Sequence, residues 1–111
     1  MRFLFIFIFF INFSFSQNIL GLEERASLIK EIQKDRIENL LPQLMEETGV
    51  DMWIIIAREY NEDPIIKTFL PPTWLNARRR TILVFHYDKN SQKLDKAAIS
   101  RYNFGDNIPS I

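Results

Sequence analysis

Gly49-Val50-Asp51-Met52-Trp53-Ile54-Ile55-Ile56-Ala57 decides how the chain is to be read. The stretch from Val50 to Ala57 is dense in β-branched and aromatic side chains, which is the composition of a strand buried on both faces. Strands of that kind usually run parallel to a neighbour, so a mixed sheet is expected around it. Gly49 suits the left-handed position that ends a helix, and it separates the strand from what precedes it.

Upstream, apolar residues recur at helical spacing from Leu22 to Thr48: Leu22, Ala26, Ile29, Ile32, Ile37, Leu40, Leu41, Leu44 and Met45. Charged residues take mainly the other side, so the segment reads as an amphipathic helix, or two joined, whose stripe from Ile29 to Met45 faces a core. Pro42 lacks an N–H and crowds the preceding turn, which predicts a kink or break there. Downstream, Arg58 to Pro64 is polar and turn-rich, Ile65 to Leu70 suits a helical turn or two, and Thr73 to Ala77 suits a short helix capped by Thr73. A second strand is expected over Arg80 to Tyr87 and a third over about Lys96 to Asn103, joined by the turn Asp88 to Gln92 as an antiparallel hairpin. The interval between the first and second strands has the length of a crossover and predicts parallel pairing. The expected fold class is therefore α/β, a long amphipathic helix packed on a small mixed sheet. Three strands and one helix are few for such a layer, and Phe104 to Ile111 reads as no covering element, so the expectation is an incomplete domain with a free sheet edge, prone to aggregate or dimerise.

The first residues differ from the rest. Arg2 precedes the apolar run Phe3 to Ile11, and Ser14 and Ser16 flank Phe15, the pattern of a secretory signal peptide with cleavage before Gln17. The run is shorter than the roughly 20 apolar residues of a membrane span. The division expected is 1–16 leader and 17–111 mature domain, exported to the periplasm or the extracellular space, with no membrane attachment after cleavage. The full chain of 111 residues has 14 basic and 14 acidic side chains, and removal of Arg2 with the leader takes the formal charge from 0 to −1. Near-neutrality gives little attraction to nucleic acid or anionic lipid. Without cysteine, disulfides and thiolate metal sites do not arise.

Two segments attract attention as sites. Arg58-Glu59-Tyr60-Asn61 follows the carboxyl end of the first strand, where open α/β sheets place binding groups; it reads equally as a turn satisfying its own backbone. Arg78-Arg79-Arg80 is the strongest charge cluster and could hold a carboxylate or phosphate through guanidinium forks, or else be solvated or paired with Glu59, Glu62 and Asp63. His86 is the single histidine and reads as a surface or hydrogen-bonded strand residue. Ser91 and Ser100 occupy no nucleophile elbow, and Trp53 reads as core. No catalytic or metal-ligating residue is assigned.

Taken in order, Arg36-Ile37-Glu38-Asn39-Leu40-Leu41-Pro42, Gly49 to Ile54, Arg58-Glu59-Tyr60-Asn61-Glu62-Asp63-Pro64 and Arg78 to Phe85 resemble the amino-terminal domain of metallopeptidases of the creatinase, prolidase and Xaa-Pro aminopeptidase type, in particular their secreted branch. The resemblance runs from about Leu22 to Gly105, and its most specific block is Arg58 to Pro64. Many members continue from the Asn with a Tyr-Leu-Thr-Gly-Phe-like segment; here Asn61 is followed by Glu62-Asp63-Pro64, which supports the secreted branch, and no substrate contacts are carried over from prolidases proper. The resemblance implies a two-domain enzyme. Its carboxy-terminal domain, absent from this chain, would bind two divalent metals (Mn, Zn or Co) through two Asp, one His and two Glu and hydrolyse a bond before proline. The amino-terminal part would be non-catalytic, shaping access for a peptide substrate and building a homodimer. A stand-alone periplasmic binding or interaction module is the competing reading, and a small self-contained enzyme ranks third.

Overall fold

The computed structural model describes residues 18–111. The leader and its cleavage point before Gln17 lie outside them. The helical arm comprises α1 (Leu22–Asp35), a π-helical turn (Arg36–Leu40) and α2 (Leu41–Thr48), running without a break into Gly49. Gly49 takes φ 71° and ψ 22°, the left-handed terminator expected from its position, and Val50 N–H closes the end on Met45 O at 3.0 Å.

The π turn is what the chain does with Pro42. Instead of a kink, one extra residue is accommodated just before the proline, and Leu41 N–H donates to Arg36 O, five residues back. The consequence for packing is geometric. The helix residues that are buried are Gln33, Ile37, Leu41 and Met45, spaced by four. At 3.6 residues per turn, twelve residues overshoot three turns by about 120°, and one inserted residue takes back about 100° of it. The bulge thus aligns the four on one line facing the sheet. The apolar stripe expected from Ile29 to Met45 is corrected accordingly: Ile29, Ile32, Leu40 and Leu44 stay exposed.

Against this line packs a three-stranded sheet of order β1-β2-β3, formed by β1 (Met52–Arg58), β2 (Arg80–Asp88) and β3 (Lys93–Ser100). Both pairings are antiparallel, with Ile55 opposite Leu83 and Leu83 opposite Ala98. The mixed sheet and the parallel β1–β2 crossover are therefore corrected: the β1–β2 connection turns back on itself, carrying only a short 3-10 segment (Pro64–Thr68) that Asp63 caps by accepting Ile65 N–H at 2.9 Å. Thr73 to Ala77 forms turns and bends in place of the short helix. The hairpin is as expected, with the third strand beginning three residues earlier than read.

The core lies on one side of the sheet. Leu83, Phe85, Thr81, Ile55, Ala57 and Ala98 point to it and meet Ile37, Leu41 and Met45 from the helix and Ile66, Phe69 and Leu70 from the connection. Gln33 is the one buried polar side chain of the helix, and its Nε2 donates to the carbonyls of Leu70 and, at 3.4 Å, Thr68. That bond ties the arm to the connection. The expectation that Phe104 to Ile111 covers nothing is also corrected. Phe104 and Ile108 are buried, Asn107 Nδ2 donates to Lys30 O at 3.1 Å, and Pro109 to Ile111 runs beside β3, with Ala98 N–H donating to Pro109 O at 2.8 Å and Ile111 N–H to Ala98 O at 3.0 Å.

Among the described residues, the other side of the sheet is bare. Met52, Ile54, Ile56 and Ile99 are each more than two-fifths exposed, with half-buried Ile82, Val84 and Ala97 between them. β1, read as buried on both faces, is buried on one.

Candidate functional site: an arginine notch at the end of the first strand

Where β1 ends and β2 begins, the chain leaves an open depression of about 510 Å³ lined by Arg58, Glu59, Tyr60, Asn61, Arg79 and Arg80. Two sequence segments some twenty residues apart meet there because β1 and β2 pair antiparallel, with Arg58 opposite Arg80 in register. Six of the seven candidate residues are thus brought together.

The turn on the β1 side is tight. Arg58 N–H donates to Asn61 O at 3.3 Å and Asn61 N–H to Arg58 O at 3.0 Å, and Tyr60 between them has φ 67°. On the β2 side Arg79 has φ 56°, and its carbonyl accepts Glu59 N–H at 3.1 Å, fastening the two turns together. A left-handed backbone is uncommon for a residue with a Cβ and is held only where surroundings impose it. Of the three such residues among those described, two line this notch and the third, Gln92, closes the β2–β3 hairpin. Tyr60 is fully exposed at the notch rim.

Electrostatically the notch is positive. It holds three guanidinium groups and one carboxylate, and among the described residues no ion pair involves Arg58, Arg79 or Arg80. The pairing with Glu62 and Asp63 weighed from the sequence does not form: Glu62 pairs instead with Lys67 at 3.8 Å, and Asp63 caps the 3-10 turn. Three such groups at one open concave surface suit a carboxylate or phosphate, whose oxygens match the guanidinium fork.

Arg78 is the residue that departs. Its guanidinium lies over the Trp74 ring at 5.3 Å and the Tyr102 ring at 5.6 Å, a cation–π clamp that holds the Pro71 to Arg79 segment against the C-terminal segment. Trp74 in turn packs edge-on against Phe104, with ring centroids 5.6 Å apart. Glu62 has a role that sequence reasoning did not assign: its carboxylate accepts Ala77 N–H and so positions the loop that delivers Arg79. Its place between Asn61 and the Asp63 cap was the only signal available.

His86 is exposed on the bare face, opposite Met52 and Asp95. Trp53 is half-buried at the core margin, 6.1 Å from Phe69 and 6.2 Å from Phe85 between ring centroids. The displaced titrations lie away from the notch. Asp88 is held below the usual carboxylate range by the Ser91 hydroxyl and Asn90 N–H, and Asp106 likewise by Lys30. Burial first, and then Glu46, raise the Tyr87 phenol. Among the described residues there is no group of three or more His, Asp or Glu placed to hold a metal ion, and no helix long and apolar enough to cross a membrane. No family model matches the chain, and no curated protein or solved structure matches it at a significant level.

Proposed function

We propose that this chain is the non-catalytic amino-terminal domain of an exported metallopeptidase of the Xaa-Pro aminopeptidase and prolidase type, shaping access for peptide substrates and contributing to a homodimer. The observation that carries the reading is the meeting of Arg58 to Asn61 with Arg79 and Arg80 in one concavity. These belong to two separate blocks on which the family resemblance rests, and their union gives a positive surface suited to the carboxylate of a peptide. The two divalent metals of such enzymes find no converging ligand set among the described residues, so no step of hydrolysis is assigned to them. The open β1 edge equally suits a second reading, an exported binding module with no enzyme attached.

The test has two parts. Amino-terminal sequencing of the exported product should begin at Gln17, and the coding sequence read past Ile111 should supply two Asp, one His and two Glu. The purified chain with Mn, Zn or Co should not cleave an Xaa-Pro dipeptide. Metal-dependent turnover by the chain alone overturns the proposal, and a product retaining its leader removes export from it.

A further inference from the structure

The two edges of the sheet are treated differently by the chain. The outer edge of β3 is taken up by Pro109 to Ile111. That of β1 is not. Tyr87 N–H donates to Asp51 O at 2.8 Å, which fixes the phase of the antiparallel ladder: Asp51, Trp53, Ile55 and Ala57 turn their main-chain groups toward β2. Met52, Ile54, Ile56 and Arg58 therefore turn theirs outward. Those of Arg58 are satisfied by Asn61. The outward N–H and C=O groups of Met52, Ile54 and Ile56 have no partner among the described residues, and the same three side chains begin the bare apolar face.

This edge leads directly into the notch. A smaller recess of about 150 Å³, lined by Ile56, Ala57, Arg58, Asn61 and Arg80, joins the last open residue of the edge to the arginines. On the helix side, an apolar groove of about 250 Å³ reaches Trp53 from Leu40, Leu44 and Ile65. A strand laid along the edge would set alternate side chains over Ile54 and Ile56 and toward that groove, while its main chain completes the ladder.

We propose that the β1 edge and the arginine notch form one docking site for an extended peptide segment bearing a carboxylate, which adds as a fourth strand and places its carboxylate among Arg58, Arg79 and Arg80. Running parallel to β1, such a segment delivers a free C-terminal carboxylate to the notch; an acidic side chain near the same end meets the same guanidinium groups. Charge selects this occupant over a second copy of the chain. Two β1 edges paired antiparallel bring the beginning of one strand to the notch of the other, and the carboxylate there, Asp51, is already engaged by Lys89 at 3.0 Å. The arginines would stay unneutralised. The inference goes beyond the metallopeptidase reading and does not depend on it, since binding by this chain is measured without any hydrolysis.

The experiment uses the full-length chain and four acetylated hexapeptides alternating threonine and valine. One carries a free C-terminal carboxylate, one a carboxamide, one a carboxamide with glutamate at the fifth position, and one a free carboxylate with alternate amides N-methylated. Calorimetry should show the free acid or the glutamate peptide binding at least tenfold more tightly than the plain carboxamide, and which of the two does so identifies the source of the carboxylate. N-methylation should abolish binding, and bound peptide should slow amide exchange at Met52, Ile54 and Ile56. Arg79→Gly keeps the left-handed backbone that position requires and should erase the preference for the acid. Binding of both the free acid and the glutamate peptide no tighter than that of the plain carboxamide, unchanged exchange at the three edge amides, no binding of any peptide, or a dimer that protects those amides and resists displacement each overturns the proposal.

Discussion

Ile54, Ile55 and Ile56 are three identical side chains in a row, exposed to 51%, 3% and 64%. The middle one points into the core with Leu83 and Phe85, and its neighbours point to the bare face with Ile82, Val84 and Ile99. The alternation of a strand thus splits one apolar run between a surface that holds the fold and a surface that holds nothing among the described residues. Residue type alone carries no information about which is which. The contrast is open to measurement by chemical denaturation, and the largest effect belongs to the covered side. Phe85 is fully buried, with its ring 5.1 Å from Phe69. Phe85→Ala should cost about 3–5 kcal/mol, a large share of the roughly 5–15 kcal/mol available to a small domain. Ile55→Ala should cost about 2–5 kcal/mol by the same loss of packing.

Next in size is the polar staple on that side. Gln33 holds the carbonyls of Leu70 and Thr68. Gln33→Ala leaves the buried Leu70 carbonyl without this donor and should cost about 1–3 kcal/mol. Exchange of amides in the Pro64 to Leu70 connection should accelerate before that of β2. If Gln33→Ala is neutral, the packing of Ile37, Leu41 and Met45 holds the arm to the sheet without help from this bond.

Much of this arrangement was legible in the residues. The Gly49 stop, the β2–β3 hairpin and the spot at the end of β1 followed from local chemistry: a left-handed terminator, a polar turn between apolar runs, a charged block after a strand. What was not legible depends on distant partners. Val50 to Ala57 has the composition of a doubly covered strand, and nothing local says that the described residues cover only one of its faces. The interval from Glu59 to Arg79 is long enough for a crossover, yet Glu62, Ile66 and Arg78 spend it on a folded-back connection held by contacts to Ala77, the core and Trp74. Pro42 announced a disturbance but not its form, because a π turn is chosen by the alignment of Gln33 with Met45 across the sheet. Six of the seven site residues converge for a reason the sequence does contain, adjacency to two strand ends, and Arg78 diverges because two aromatic rings far apart in the chain compete for it.

A smaller effect comes from charge at the periphery. Asp88 and Asp106 have pKa values lowered in the folded state, Asp88 by the Ser91 hydroxyl first and Asp106 by Lys30 first. A depressed folded value means that the stabilisation is fully present above the ordinary carboxylate pKa and is lost as pH falls through the folded one. Stability should therefore decline modestly from about pH 4 downward. Asp88→Asn should remove the hairpin's share of that decline by lowering neutral-pH stability by the same modest amount.

The smallest change in stability is expected where the bare face is altered, and it is the sharpest test of the contrast. Ile54 and Ile55 differ by one position, so Ile54→Thr removes about as much apolar surface as the equivalent change at Ile55 but takes it from solvent. Threonine keeps the β-branch that suits a strand, and the altered side chain has no core partner to lose. Unfolding free energy should move by no more than about 0.5 kcal/mol, as for surface positions generally. Association should respond instead: a contiguous apolar face bordering an unpaired edge promotes self-contact, and a hydroxyl at its centre should raise the concentration at which light scattering detects aggregates. A cost of 2 kcal/mol or more at Ile54, approaching that at Ile55, would mean that this face packs against something in the folded chain, and the division of the isoleucine run would fall with it.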